Sequence, residues 1–312
     1  MPNRLALIFP GQGSQYLGMG RDLYQRYPEA RALFDEADEL LGLEISKLCF
    51  EGPAEELHDT INTQPAILAV SLATLQVLRA RHYVKEVAFA AGHSLGEYSA
   101  LVASGHISFA DAVQLVRERG RLMKKAGENR PGGMVAVLGL EADVVDEACQ
   151  QASEETGRIV QVANYNSPAQ IVISGEQEGL EKAIESVVGK GARRVVPLAV
   201  SIASHCPLME SAAQGLHQAM ASVAFQETRV PVVANVTAQP LRSTEEVREE
   251  LVKQLVSPVQ WVDSVHHMLN HGVATFVEIG PKDVLSKLIK RIDPGVERIS
   301  VGDVAGVETW GT

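Results

Sequence analysis

Apolar residues recur along the chain in two rhythms. Short unbroken runs at 5–9, 87–91, 230–236 and 275–279 read as buried strands, and longer stretches between them carry helical spacing. Helices are expected over 22–41, 66–81, 97–103, 108–126, 208–223, 244–255, 262–270 and 284–291. The helix at 66–81 is apolar almost all round (Ile67, Leu68, Val70, Leu72, Leu75, Val77, Leu78), as a helix inside a protein would be. Asn62-Thr63-Gln64-Pro65 reads as its cap. Residues 44–58 read as a less regular connection, and the chain beyond Val301 as a weakly patterned tail.

The texture changes at Pro131-Gly132-Gly133. From there a strand (134–140), a helix (142–155), two strands (159–164, 170–174), a helix (178–189) and a strand (193–200) follow. This β-α-β-β-α-β order is the ferredoxin-like pattern. The expected architecture is therefore α/β: an α/β-hydrolase-like large subdomain, residues 1–128 and 200–312, with an inserted ferredoxin-like small subdomain, residues 129–199.

Composition narrows the partners. The 312 residues are 46% hydrophobic, enough for a sizeable core, and carry a net charge of −11 from 28 basic and 39 acidic side chains. That balance argues against nucleic acid or an anionic membrane as the main partner. No apolar run approaches the length of a membrane span. Cys49, Cys149 and Cys206 lie far apart with no CxxC or Cys/His spacing, so a reducing compartment and no metal site are expected. The apolar start at 5–9 is too short for a signal peptide, which makes a cytoplasmic protein the expectation. Without a coiled-coil seam or exposed apolar repeat, a monomer is expected.

The chemistry gathers at Gly92-His93-Ser94-Leu95-Gly96, between the strand at 87–91 and the helix at 97–103. Gly-x-Ser-x-Gly at a sharp strand-to-helix turn is the nucleophile-elbow pattern. The turn crowds its neighbours, hence glycine at both ends, and lifts a hydroxyl to a helix N-terminus whose free N–H groups favour negative charge. In the plainer reading Ser94 caps the helix, which accounts for the serine and one glycine but not for both glycines and His93 together. Pro10-Gly11-Gln12-Gly13-Ser14-Gln15 is a second glycine-rich loop. It lacks the Lys-Ser/Thr of a P-loop and the G-x-G-x-x-G of a dinucleotide site, so it reads as a turn able to lend a backbone N–H. Arg119 falls on the apolar stripe of its helix, four residues after Leu115 and three before Leu122, whereas Arg117 and Arg121 fall off it. A guanidinium facing the core needs a partner: a structural carboxylate, or the carboxylate of a substrate. His205 follows a strand end and is a candidate base; His266, His267 and His271 are assigned to a solvated face.

Together these segments resemble the malonyl-CoA:acyl-carrier-protein transacylases of fatty-acid synthesis and the related discrete acyltransferases of polyketide pathways. The matching motifs are FPGQGSQ (9–15), NTQPA (62–66), GHSLGEY (92–98), LVRERG (115–120), ASH followed by LM (203–209) and QLVSPVQW (254–261), and the resemblance runs over about 5–299. It implies Ser94 as nucleophile, His205 as its base and acid, and the backbone N–H groups of Gln12 and Leu95 as oxyanion hole. It further implies Arg119 as the grip on the malonyl carboxylate, Gln254 as the residue whose backbone carbonyl orients His205, and His93, Asn164 and Asn166 with Gln254 as pocket contacts. The implied substrates are malonyl-CoA and an acyl carrier protein, with coenzyme A thioester as substrate and no cofactor. A trans-acting polyketide acyltransferase with a malonyl or substituted malonyl unit is the alternative. A serine thioesterase would share the elbow but predicts an acid partner for the base. An acidic carrier protein needs a basic patch, for which Lys124 and Lys125, Arg193 and Arg194, and Lys287, Lys290 and Arg291 are candidates.

Overall fold

The structure is a computed structural model that describes residues 4–84, 86–198 and 202–310. Strands run in the order β1 (Arg4–Phe9), β2 (Val87–Gly92), β3 (Gly133–Leu138), β4 (Val160–Ser167), β5 (Gln170–Gly175), β6 (Arg194–Pro197), β7 (Val232–Val233), β8 (Val273–Ile279) and β9 (Glu297–Val301). They make two sheets. The first, in order β7-β2-β1-β8-β9, is parallel throughout, and the second, in order β4-β5-β3-β6, is antiparallel. An α/β fold with one parallel and one antiparallel sheet is what the alternation of runs implied.

The parallel sheet is covered on both faces, which is why β1 and β2 are continuous apolar runs instead of alternating ones. The helix Thr60–Ala80 lies within the main core, most of its side chains buried, alongside the helix Phe109–Asn129. Length and composition would let Thr60–Ala80 cross a membrane; here protein surrounds it. On the other face Ile8, Phe89 and Phe276 of the sheet pack against Trp261 and Val265 of the helix Trp261–Asn270 and Leu285 and Ile289 of the helix Val284–Ile292. The antiparallel sheet has its own core, in which Val137, Val162 and Ile173 meet Val145, Ala148 and Leu180 of the helices Ala142–Thr156 and Gln177–Gly189. The sheets are stitched where β4 meets the segment before Trp261: Tyr165 N–H donates to the Val259 carbonyl (3.0 Å) and Val259 N–H to the Ala163 carbonyl (2.9 Å).

Several local expectations need correction. The helix expected at 22–41 is two, Arg21–Arg26 and Pro28–Leu41, because Tyr27 is extended and Pro28, with no N–H to give, starts a helix better than it continues one. The connection at 44–58 holds two short helices, Ile45–Glu51 and Ala54–His58. Asn62-Thr63-Gln64-Pro65 lies inside its helix: Asp59 is the cap, accepting from Ile61 N–H, and Thr63 Oγ1 instead donates to the Leu57 carbonyl. The strand at 230–236 shrinks to Val232–Val233, paired with Ala90 and Ala91 of β2 and bridged on its other side by Val233 to Pro240. The helix at 208–223 is a 3₁₀ turn, the helix Glu210–Ala219 and a second 3₁₀ turn. The tail forms the helix Val304–Trp310, anchored by Asp22, whose carboxylate accepts from Val304 N–H at 2.8 Å. His267 is half-buried and stacks on His271 with ring centroids 4.2 Å apart, both edge-on to Phe89, so that face is not simply solvated. The end of the strand expected at 193–200, and Ser201, lie outside the described residues.

Candidate active site

β2 ends at Gly92 and the helix Gly96–Ser104 begins four residues later, so the chain reverses within Gly92–Gly96. The crowding there is measurable. A Cβ on Gly92 would lie 1.9 Å from the Gly96 carbonyl carbon, and one on Gly96 would lie 2.0 Å from the Phe9 carbonyl oxygen. Ser94, between them, adopts φ +52°, a left-handed conformation that costs on the order of 1 kcal/mol. Asn235 holds the turn, with Nδ2 donating to the Gly92 carbonyl and Oδ1 accepting from Ser94 N–H, both at 2.7 Å.

Ser94 Oγ lies 2.8 Å from His205 Nε2, and His205 Nδ1 lies 2.7 Å from the Gln254 carbonyl oxygen. A carbonyl can only accept, so Nδ1 carries the proton and Nε2 turns its lone pair to the serine hydroxyl. The orienting partner is a backbone carbonyl, not the carboxylate that a thioesterase triad would place there. His205 is buried at φ +60°, and its own carbonyl accepts from Gln161 Nε2 at 2.9 Å. Burial, with the Arg119 charge adding to it, pushes the His205 imidazole down to about 3.

Arg119 is 1% exposed. Its Nη1 donates to Gln64 Oε1 (2.7 Å), and its Nη2 to Gln254 Oε1 (2.8 Å) and Ser94 Oγ (3.1 Å). Nε has no partner among the described residues. Of the two readings of this arginine, the structural ion pair is not what is found: its hydrogen-bond acceptors are two amides and a hydroxyl. The guanidinium is therefore a buried cation with donor capacity left over beside the Ser94 hydroxyl.

Gln12 and Leu95 line the same cavity as Ser94, and among the described residues no backbone hydrogen bond is made by the N–H of either. Leu95 is the N-cap residue of its helix, so its N–H has no partner within the helix. These residues line a cavity of about 520 Å³ to which the antiparallel sheet contributes Met134 of β3 and Asn164 of β4. His93 also lines it, with Nε2 2.7 Å from Asn166 Oδ1. Asn166 reaches the cavity only through that contact. Of the basic clusters, Lys124 alone is at the cavity, and it is paired with Asp59 at 2.5 Å. Among the described residues no group of three or more His, Cys, Asp or Glu side chains is placed to hold a metal.

Three contributors escaped sequence reading. Asn235 reaches the elbow from far along the chain, with no local pattern to mark it. Gln64 was read as a helix cap. Glu97 sits in a helix that is apolar on nearly every face, and that is the signal that could have found it.

Because the unfolded chain takes up the His205 proton near pH 6.5 and the folded protein only near 3, the neutral imidazole favours folding fully above about pH 6.5 and loses that contribution as pH falls. Between pH 7 and 5 the parent should therefore lose on the order of 2 kcal/mol more stability than His205→Gln, measured as the difference in urea midpoints.

The class follows from comparison with known proteins. A family model described as the acyl transferase domain matches residues 6–307, and the chain belongs to that family. It is an acyltransferase. Its relatives include malonyl CoA-acyl carrier protein transacylases of Bacillus subtilis, 44% identical over 98% of this chain and 96% of the relative, and of Escherichia coli, 45% identical over 93% of each. Among solved structures, a malonyl-transacylase in complex with a type II PKS acyl-carrier protein superposes with a TM-score of 0.95 at 42% identity, covering 98% of both chains. An acyl carrier protein S-malonyltransferase from Vibrio cholerae gives 0.94 at 41%, covering 98% of this chain and 99% of that one.

Proposed function

We propose that this chain moves a malonyl group from malonyl-CoA to the phosphopantetheine thiol of an acyl carrier protein through a malonyl ester on Ser94. The observation that carries this reading is Arg119, a fully buried guanidinium 3.1 Å from the Ser94 hydroxyl with no carboxylate hydrogen-bonded to it among the described residues. A malonyl carboxylate completes it; an acetyl group leaves it unmatched. The names of the relatives point the same way.

In the first half-reaction His205 Nε2 takes the Ser94 proton as Oγ attacks the thioester carbonyl. The oxyanion settles between the N–H groups of Gln12 and Leu95, donors of the kind worth about 3 kcal/mol each in barrier. The C–S bond breaks, and coenzyme A leaves as the thiol with the proton from His205. The carrier thiol then gives its proton to His205, attacks the ester, and the oxygen of Ser94 departs with that proton. The malonyl carboxylate on Arg119 offsets part of the charge that lowers His205, making the imidazole a better base once substrate is bound.

The same reading extends to the architecture. We take residues 129–199 as a ferredoxin-like unit inserted in an α/β-hydrolase-like body, supported by the antiparallel order β4-β5-β3-β6. Its contribution of Met134 and Asn164 makes the cavity a cleft between two units.

Intact mass after brief exposure to malonyl-CoA tests the proposal, with acetyl-CoA and methylmalonyl-CoA in parallel. A malonyl adduct, discharged by a holo carrier protein, is the expected result. Free malonate without an adduct would make the protein a hydrolase and overturn it.

A further inference from the structure

Behind the active site lies a buried acid that the transfer chemistry does not use. Glu97 is fully buried in the helix Gly96–Ser104, on the far side of Gln254 from Arg119. One of its oxygens accepts from Asn235 N–H at 3.0 Å and the other from Gln254 Nε2. Gln254 is fully buried too; its Nε2 also donates to the Ser94 carbonyl (3.1 Å), and its Oε1 accepts from Arg119 Nη2 (2.8 Å). Resting on the reading of Arg119 as the grip on the malonyl carboxylate, we infer that Glu97 is a positioning residue for acyl-group selection: its carboxyl pins the Gln254 amide so that the oxygen, and not the NH₂, faces Arg119.

The two ends of a glutamine amide are nearly equal in size and opposite in hydrogen bonding. Reversed, the amide would aim N–H donors at a guanidinium that can only donate, and Arg119 would lose one of its three acceptors. The guanidinium would then turn towards whatever acceptor remained, carrying its spare donors away from the place a substrate carboxylate must occupy. Only a group with two acceptor oxygens meets the two N–H donors that converge on position 97. A glutamine there would set a donor against either Asn235 N–H or Gln254 Nε2. Burying a carboxyl is costly, and burial together with the neighbouring Glu250 pushes Glu97 well above the usual carboxylate range. Glu250 packs beside it, with Oε1 accepting from Val236 N–H at 2.8 Å, but makes no hydrogen bond to Gln254 or Arg119. That difference separates a positioning role from a general need for acid at this place.

The test compares the parent with Glu97→Gln, Glu250→Gln and Gln254→Met, the last keeping the backbone carbonyl that orients His205. Acyl-enzyme formation from malonyl-CoA and from acetyl-CoA is timed by intact mass, and labelling of Ser94 by a small neutral fluorophosphonate reports on the nucleophile. The malonyl-to-acetyl rate ratio should fall about tenfold in Glu97→Gln and in Gln254→Met and hold in Glu250→Gln, with Ser94 still labelled in all. An unchanged ratio in Glu97→Gln, or an equal fall in Glu250→Gln, overturns the inference; if Glu97→Gln does not fold, Gln254→Met decides. A parent that takes no malonyl group overturns the substrate reading and this inference with it, whereas a malonylated parent with unchanged variant ratios overturns this inference alone.

Discussion

Ser94→Ala should form no malonyl adduct and should transfer malonyl groups roughly 10⁴–10⁶-fold more slowly than the parent, by analogy with the loss of other serine nucleophiles. The scale follows from the geometry. The hydroxyl is the atom that Asn235, the two glycines and the left-handed backbone hold in place, with His205 2.8 Å away to take its proton. Without it, Gln12 and Leu95 can still polarise the thioester carbonyl, but the thiol must attack malonyl-CoA directly, with no covalent intermediate to divide the barrier. Alanine keeps the Cβ and leaves both glycines in place, so the variant should fold, and an unchanged urea midpoint separates lost chemistry from lost structure. Transfer within tenfold of the parent would remove Ser94 from the mechanism.

Arg119→Ala is the second large effect. Malonyl transfer should fall on the order of 10²–10³-fold, as when a buried charge loses its partner, and acetyl transfer should fall much less, collapsing the preference between them. In the parent an acetyl group leaves a buried guanidinium facing a methyl; the variant carries no such penalty. Arg119→Lys should not restore the preference, because an ammonium cannot reach Gln64, Gln254 and the substrate in the planar arrangement of a guanidinium. The competition is read directly by mixing malonyl-CoA and acetyl-CoA and comparing adducts by mass. A retained malonyl preference in Arg119→Ala would show that selection lies elsewhere in the cavity.

Much of this gathering of residues is legible in the sequence, for reasons that differ from residue to residue. The elbow is legible because backbone contact forbids any side chain at Gly92 and Gly96, which leaves a pattern of letters behind. Arg119 is legible because a charge on an apolar stripe breaks the helical rhythm. Most strands are legible as apolar runs, but β9 (Glu297–Val301), in which Glu297, Arg298 and Ser300 interrupt the apolar residues, leaves no such run and is missed. What stays hidden is made of groups that every residue has, or of contacts between distant segments. The Gln254 carbonyl that faces His205 is a backbone atom, and no residue type advertises it. Asn235 reaches the elbow from 141 positions away. The start of the helix Thr60–Ala80 was misplaced because Asn62 and Thr63 are cap-forming types, while the cap itself, Asp59, stands just before the helical pattern becomes visible. The closing helix Val304–Trp310 has only seven residues, one of them Gly306, and depends on Asp22 near the other end of the chain.

Ser94 stands just past the end of β2 in the parallel sheet and His205 lies beyond β6 of the antiparallel one, and the two sheets are fastened to each other by the two backbone bonds between β4 and Val259. Reactivity is thus a property of the seam. A shear of an ångström between the layers would part Ser94 from His205 and leave an ordinary alcohol beside an idle imidazole. On the proposed mechanism a half-assembled molecule is for that reason silent instead of wasteful: it would not spill a thioester into water, because Ser94 would acquire its chemistry only when the two sheets are in register.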